Sequence, residues 1–100
     1  MSEYVNIQKR LVLTLKYMRI LKRLTAIEVA KRTGVNFYLL ETGSCPVSVS
    51  TILKLQEVFG LRSMTNLLCN TWHEGGIWTE KVLEKLIFEE ETKWEAEKLL

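Results

Sequence analysis

One hundred residues, 47% apolar and 26% charged, describe one folding unit with material for a modest core. No apolar run approaches the roughly 18 residues of a membrane span, and two isolated cysteines and one histidine give neither a disulfide framework nor a metal-ligand spacing. Charge is uneven: residues 1–62 hold ten Lys and Arg against four Glu, residues 63–100 four Lys against eight Glu. A basic front and an acidic tail suggest two tasks, although solvated helix faces would give the same counts. The start, MSEYVNIQKR, lacks the apolar segment of a signal peptide. The expectation is a reduced, cytoplasmic protein. A single Pro and no Asp favour helices over strands and turns.

In residues 5–21 apolar side chains recur at Ile7, Leu11, Leu15, Met18 and Leu21, with Val12 beside them. This is helical spacing, and Lys9, Arg10, Lys16, Lys22 and Arg23 fall mostly off the stripe. Thr25 is placed to cap a second helix over 25–33, with Ile27, Val29 and Ala30 as its apolar stripe. Gly34 supplies the positive φ of an abrupt exit, and helix–tight turn is the positioning half of a helix-turn-helix. A short third helix is expected from Asn36 through Phe37, Tyr38, Leu39, Leu40 and Glu41 to Thr42, ended by Gly43. Ser48 or Ser50 caps a fourth, whose apolar positions are Val49, Ile52, Leu55, Val58 and Phe59. Residues 61–72 read as a fifth helix with Met64, Leu67 and Leu68 inward, and 73–77 as a linker.

The rest, 78–100, reads as one long helix capped at Thr79. Its stripe Leu83–Ile87–Glu90–Trp94 has an a/d rhythm interrupted by Glu90, and Glu89 and Lys93 form an i,i+4 pair. Such a helix needs a surface to lie on, either its own domain or a second copy of the chain. Trp78, Leu83, Ile87 and Trp94 are the candidate dimerisation residues, with core packing as the alternative for the two tryptophans. The domain reading is therefore 1–72, a linker at 73–77, and a C-terminal element at 78–100.

Taken in order, residues 15–68 resemble the Cro/cI-type (XRE family) helix-turn-helix domain. The resemblance rests on Met18-Arg19 followed by Leu24-Thr25; on Ala30 with Gly34-Val35; on Glu41-Thr42-Gly43; on Pro46, Val49, Ile52, Leu55, Phe59 and Gly60-Leu61; and on Leu67-Leu68. It implies an all-α fold, a five-helix bundle here extended by the long C-terminal helix. It also implies that Arg19 bonds Glu41, a scaffold contact that docks the third helix. The sequence departs from the family at two places. Ala26 stands where a phosphate-touching Gln is usual, and the span from Gly34 to Glu41 is shorter than usual, so the recognition helix is cut.

That helix carries no Arg, Lys or Gln, the residues that most often read guanine and adenine. Asn36, Tyr38, Thr42 and Ser44 are the side chains able to reach base edges or backbone. Asn36 has the competing task of a cap, and Tyr38 that of partial burial. Lys22, Arg23, Lys31 and Arg32 are the candidate phosphate contacts; Lys31 and Arg32 equally suit the negative end of the helix dipole. Ser48 and Ser50 suit a phosphate or a cap. His73 beside Glu74 reads as a surface residue, Cys69 as core and Cys45 as a loop thiol. No acid–base constellation is visible, so an enzyme is not expected, nor any cofactor or metal. The functional expectation is a DNA-binding transcriptional regulator, a repressor acting as a homodimer on double-stranded DNA. The alternative is a degenerate helix-turn-helix serving as a protein-interaction module, or an antitoxin-like protein whose C-terminal helix holds a partner. No membrane partner is expected.

Overall fold

Four side-chain caps set the helix starts. Thr25 accepts from the Glu28 N–H (3.1 Å) while Glu28 accepts from the Thr25 N–H (3.1 Å), a complete capping box. Asn36 accepts from Leu39, Ser48 from Thr51 and Thr79 from Val82. The computed structural model describes residues 3–60, 62 and 79–100. Among them are five helices: α1 (Glu3–Leu21), α2 (Ala26–Thr33), α3 (Phe37–Glu41), α4 (Val49–Phe59) and α5 (Glu80–Lys98). The expected all-α class is what is found. The helix expected over 61–72, the linker 73–77, Cys69, His73 and Trp78 lie outside the described residues.

The core draws on α1 to α4. Leu11, Leu15 and Met18 of α1 pack with Leu24, Val29, Phe37, Leu40, Val47, Ile52, Leu55 and Phe59. Phe37 meets Phe59 edge-on, with centroids 6.2 Å apart at 71°, the arrangement that aromatic quadrupoles favour. Thr14 is buried in this apolar setting because its hydroxyl donates to the Arg10 carbonyl one turn back (2.8 Å). Three apolar positions expected to face inward do not: Leu21, Ile27 and Val49 are exposed. Each sits in a terminal turn of its helix.

The turn after α1 has an unusual occupant. The Leu24 N–H bonds the Arg19 carbonyl (3.1 Å) and the Arg23 N–H bonds that of Ile20 (2.9 Å). This is a Schellman close, whose left-handed position is normally glycine. Here it is Arg23, at φ 56°. Its guanidinium folds back to the Ile20 carbonyl (2.8 Å) and bonds Glu90 (3.0 Å) and Glu97 of α5.

Those contacts belong to a ladder. Lys9 pairs with Glu80 (3.2 Å), Lys16 with Glu91 (3.8 Å) and Arg23 with Glu90 and Glu97. The ladder runs from Lys9–Glu80 near one end to Arg23–Glu97 near the other, so α1 and α5 run parallel. The cations repeat every seventh residue, the spacing that keeps one helix face against a neighbour. Leu83 (0% exposed) and Ile87 (6%) fill the seam between the charges. The surface that α5 needs is therefore its own chain.

Glu90 and Glu97 titrate below the usual carboxylate range, chiefly because the Arg23 guanidinium bonds them. A lowered folded-state pKa contributes stability above the unfolded value and loses it as pH falls through the folded one. Unfolding midpoints in urea should therefore fall between about pH 5 and about pH 2. Arg23→Gln should lower the midpoint at neutral pH and flatten that acid limb. Part of the limb will survive in the variant, because Glu28 is lowered separately by the backbone bond from Thr25. An equally steep limb in the variant would show that the ladder contributes nothing.

Candidate nucleic-acid interface

Helices α2 and α3 are joined by residues 34–36 alone. Gly34 at φ 75° closes α2 with its N–H on the Ala30 carbonyl (2.8 Å), a conformation that an L side chain would strain. Val35 is fixed by its own N–H, which donates to the Thr33 hydroxyl (3.1 Å). Helix α3 is only five residues long, too short to persist by itself. Three things hold it. Phe37 and Leu40 are buried in the core. At its end the Ser44 N–H reaches the Leu39 carbonyl (3.0 Å) around Gly43. Arg19 grips it from α1.

The Arg19 contact is a three-way bridge. Its Nη2 and Nε donate to Glu41 Oε1 at 2.9 and 3.3 Å, and its Nη1 to the Leu24 carbonyl at 2.7 Å. One guanidinium thus ties the end of α3 to the start of α2. The following loop is held by a residue that sequence reading overlooked. Gln8 of α1 accepts from the Val47 N–H (2.8 Å) and donates to the Val47 carbonyl (3.4 Å). Nothing in the spacing of a lone Gln among basic residues announces a contact 39 positions away.

The predicted site residues separate into distinct groups. Lys22, Lys31 and Arg32 are exposed, and none has an ion-pair partner among the described residues. Arg23, expected as a phosphate contact, is instead engaged by two carboxylates of α5; their bonds hold its guanidinium even more firmly protonated than an ordinary one. It is not available as a free cation in this fold. Tyr38 (68% exposed) and Leu39 (40%) point outward from α3.

The polar side chains near α3 are largely spent on the backbone. Asn36 Oδ1 caps Leu39 (3.2 Å). Thr42 donates to the Leu39 carbonyl (3.1 Å), so the 2.9 Å contact between Thr42 and Ser44 takes the Ser44 proton. Neither hydroxyl retains a donor in this arrangement.

The residues expected to pair subunits need the clearest correction. Leu83 and Ile87 are buried within the chain by the packing of α5 along α1, so their side chains are already covered. Trp94 is half-buried and lines a small cleft with Lys16, Arg19 and Ile20, and Lys98 Nζ lies 4.5 Å from its ring centroid. Lys93 bonds Glu90 (3.4 Å) and not Glu89, the i,i+4 partner expected for it. Glu90, which breaks the apolar stripe in the sequence, occupies that position because it faces Arg23. A heptad comparison of Lys9, Lys16 and Arg23 with Leu83, Ile87, Glu90, Trp94 and Glu97 contains the signal for this pairing.

Comparison with family models, curated proteins and solved structures finds no match to this chain. Among the described residues no helix is long and apolar enough to cross a membrane.

Proposed function

We propose that this chain is a DNA-binding regulator that presents α3 to the major groove of a duplex, with Lys22, Lys31 and Arg32 on flanking phosphates. The observation that carries the reading is the α2–turn–α3 unit. Its two helices are joined by a three-residue, glycine-closed turn, the spacing used by helix-turn-helix proteins. Its short second helix is pinned from three directions, as a reading element must be if it is to hold register. The exposed cations lie before α2 and in its last turn, consistent with phosphate contacts that position the unit without reading sequence. Dimerisation on adjacent half-sites would need a surface other than Leu83 and Ile87, and the proposal does not depend on it. The ladder between α1 and α5 has a structural part: it pairs Lys9, Lys16 and Arg23 with carboxylates of α5 and leaves Lys22, Lys31 and Arg32 without an ion-pair partner among the described residues.

A mobility-shift assay with duplexes recovered by the full chain from a randomised pool tests this. The expected result is a complex that unlabelled duplex of the recovered sequence displaces at much lower concentration than random duplex does. Equal displacement by both would remove the sequence-specific form of the proposal.

A further inference from the structure

We infer that α3 distinguishes duplexes by the 5-methyl groups of thymine, with Leu39 and Tyr38 as the contacting side chains. This rests on the reading of α3 as the element that enters the major groove. Hydrogen-bonded readout needs side chains with free donors and acceptors. Adenine takes both an acceptor and a donor from one Asn or Gln amide, but the Asn36 oxygen is committed to the Leu39 N–H. The Thr42 and Ser44 protons are committed to the Leu39 carbonyl and to Thr42 Oγ1. Phe37 and Leu40 are turned into the core. What α3 offers outward is the Leu39 side chain and the Tyr38 ring, both substantially exposed; the Tyr38 hydroxyl, at the tip of its ring, is the polar group left to reach a phosphate.

An apolar surface has one favourable partner on the major-groove edge, the methyl group of thymine. Pressed against a G·C pair, the same surface would strip water from the guanine N7 and O6 and the cytosine N4 without replacing their hydrogen bonds, which is unfavourable. The selectivity is therefore both attractive and repulsive. The exposed cations Lys31 and Arg32, in the last turn of α2, supply the charge complementarity that identifies the occupant of this apolar face as a polyanion. The ligand class is a double-stranded DNA site carrying thymines where α3 lies.

The test compares duplexes recovered from a randomised pool with the same duplexes carrying deoxyuridine at every thymidine. Uracil keeps the pairing and the O4 acceptor and lacks only the methyl. Binding of the full chain should weaken about fourfold for each contacted methyl, roughly fifteenfold for two, while affinity for random duplex stays unchanged. Leu39→Ala, checked for an unaltered melting temperature, should reduce the difference between the thymine and uracil duplexes to about fourfold, that of the remaining Tyr38 contact. A loss that persists undiminished in Leu39→Ala would come from altered duplex shape and would overturn the assignment. Equal binding of both duplexes by the unmodified chain, with preference over random duplex retained, would also overturn it and leave the DNA-binding reading standing. If no duplex is bound at all, both fall together.

Discussion

Phe37→Ala is expected to destabilise the protein by about 4 kcal/mol, and Tyr38→Ala, one residue on, by less than about 0.5 kcal/mol. The two side chains are both large aromatics in the same five-residue helix. Phe37 is 0% exposed and stacks edge-on against Phe59 of α4, whereas Tyr38 is largely in solvent. Removing the Phe37 ring opens a cavity between α3 and α4 and removes the main anchor of a helix that cannot sustain itself. For a domain of this size that corresponds to a fall in melting temperature of roughly 15–30 °C. Thermal unfolding of the two variants side by side is sufficient. A Tyr38→Ala loss equal to that of Phe37→Ala would mean that α3 is rotated from the orientation described, with Tyr38 inward.

The second large effect is predicted at Arg19. Its side chain is 12% exposed and that of Glu41 13%, so the pair is mostly shielded from water. Removing one partner of such a pair leaves a carboxylate without its counterion and typically costs about 3 kcal/mol. Arg19→Ala should lose this and also leave the Leu24 carbonyl without its donor. Arg19→Lys should recover less than half of the loss, because a single ammonium cannot reach Glu41 and Leu24 in the fork that a guanidinium makes. Denaturant unfolding of the two variants distinguishes the bridge from a simple charge. Full rescue by Lys would mean that geometry contributes nothing. Because the bridge fixes where α3 ends, Arg19→Ala should also weaken duplex binding even under conditions where the variant remains folded.

The contrast between these two sites shows what a linear reading can reach. Thr25, Asn36 and Thr79 could each be placed as a cap, and the fourth cap narrowed to Ser48 or Ser50, because capping is a local rule: an oxygen side chain, then a run with helical spacing. The core stripe of α1 was equally readable, since nineteen residues give enough turns for a period to emerge. Helix α3 gives barely more than one. Phe37, Tyr38, Leu39 and Leu40 are all apolar or nearly so, and no periodicity can sort four consecutive residues into two in and two out. Only the positions of α1 and α4 do that.

Arg23 illustrates a different limit. As a sequence feature it is one of a pair of cations before a helix, suited to a phosphate. Its actual partners lie 67 and 74 residues away, and its left-handed backbone is that of a helix-closing position where glycine is usual. The clue was in Glu90, an acidic residue at the centre of an apolar stripe. Treated as an interruption, it leaves open whether the surface for α5 is its own domain or a second copy of the chain. Treated as half of an ion pair, it points to α1. The same misplacement explains Leu83 and Ile87: the a/d rhythm was real, but the helix it recognises is in the same chain.

The most direct measurement of the central claim is the salt dependence of duplex binding by the full chain, followed by fluorescence anisotropy between low and physiological ionic strength. Contacts to phosphate by Lys22, Lys31 and Arg32, which have no ion-pair partner among the described residues, predict a slope of log affinity against log salt concentration of about −3 per domain. The slope should fall by about one for each of the three that is replaced by Ala, and Arg23→Ala should leave it unreduced. No binding to any duplex at low salt, or a slope near zero that the Lys31→Ala and Arg32→Ala variants do not change, would contradict the account.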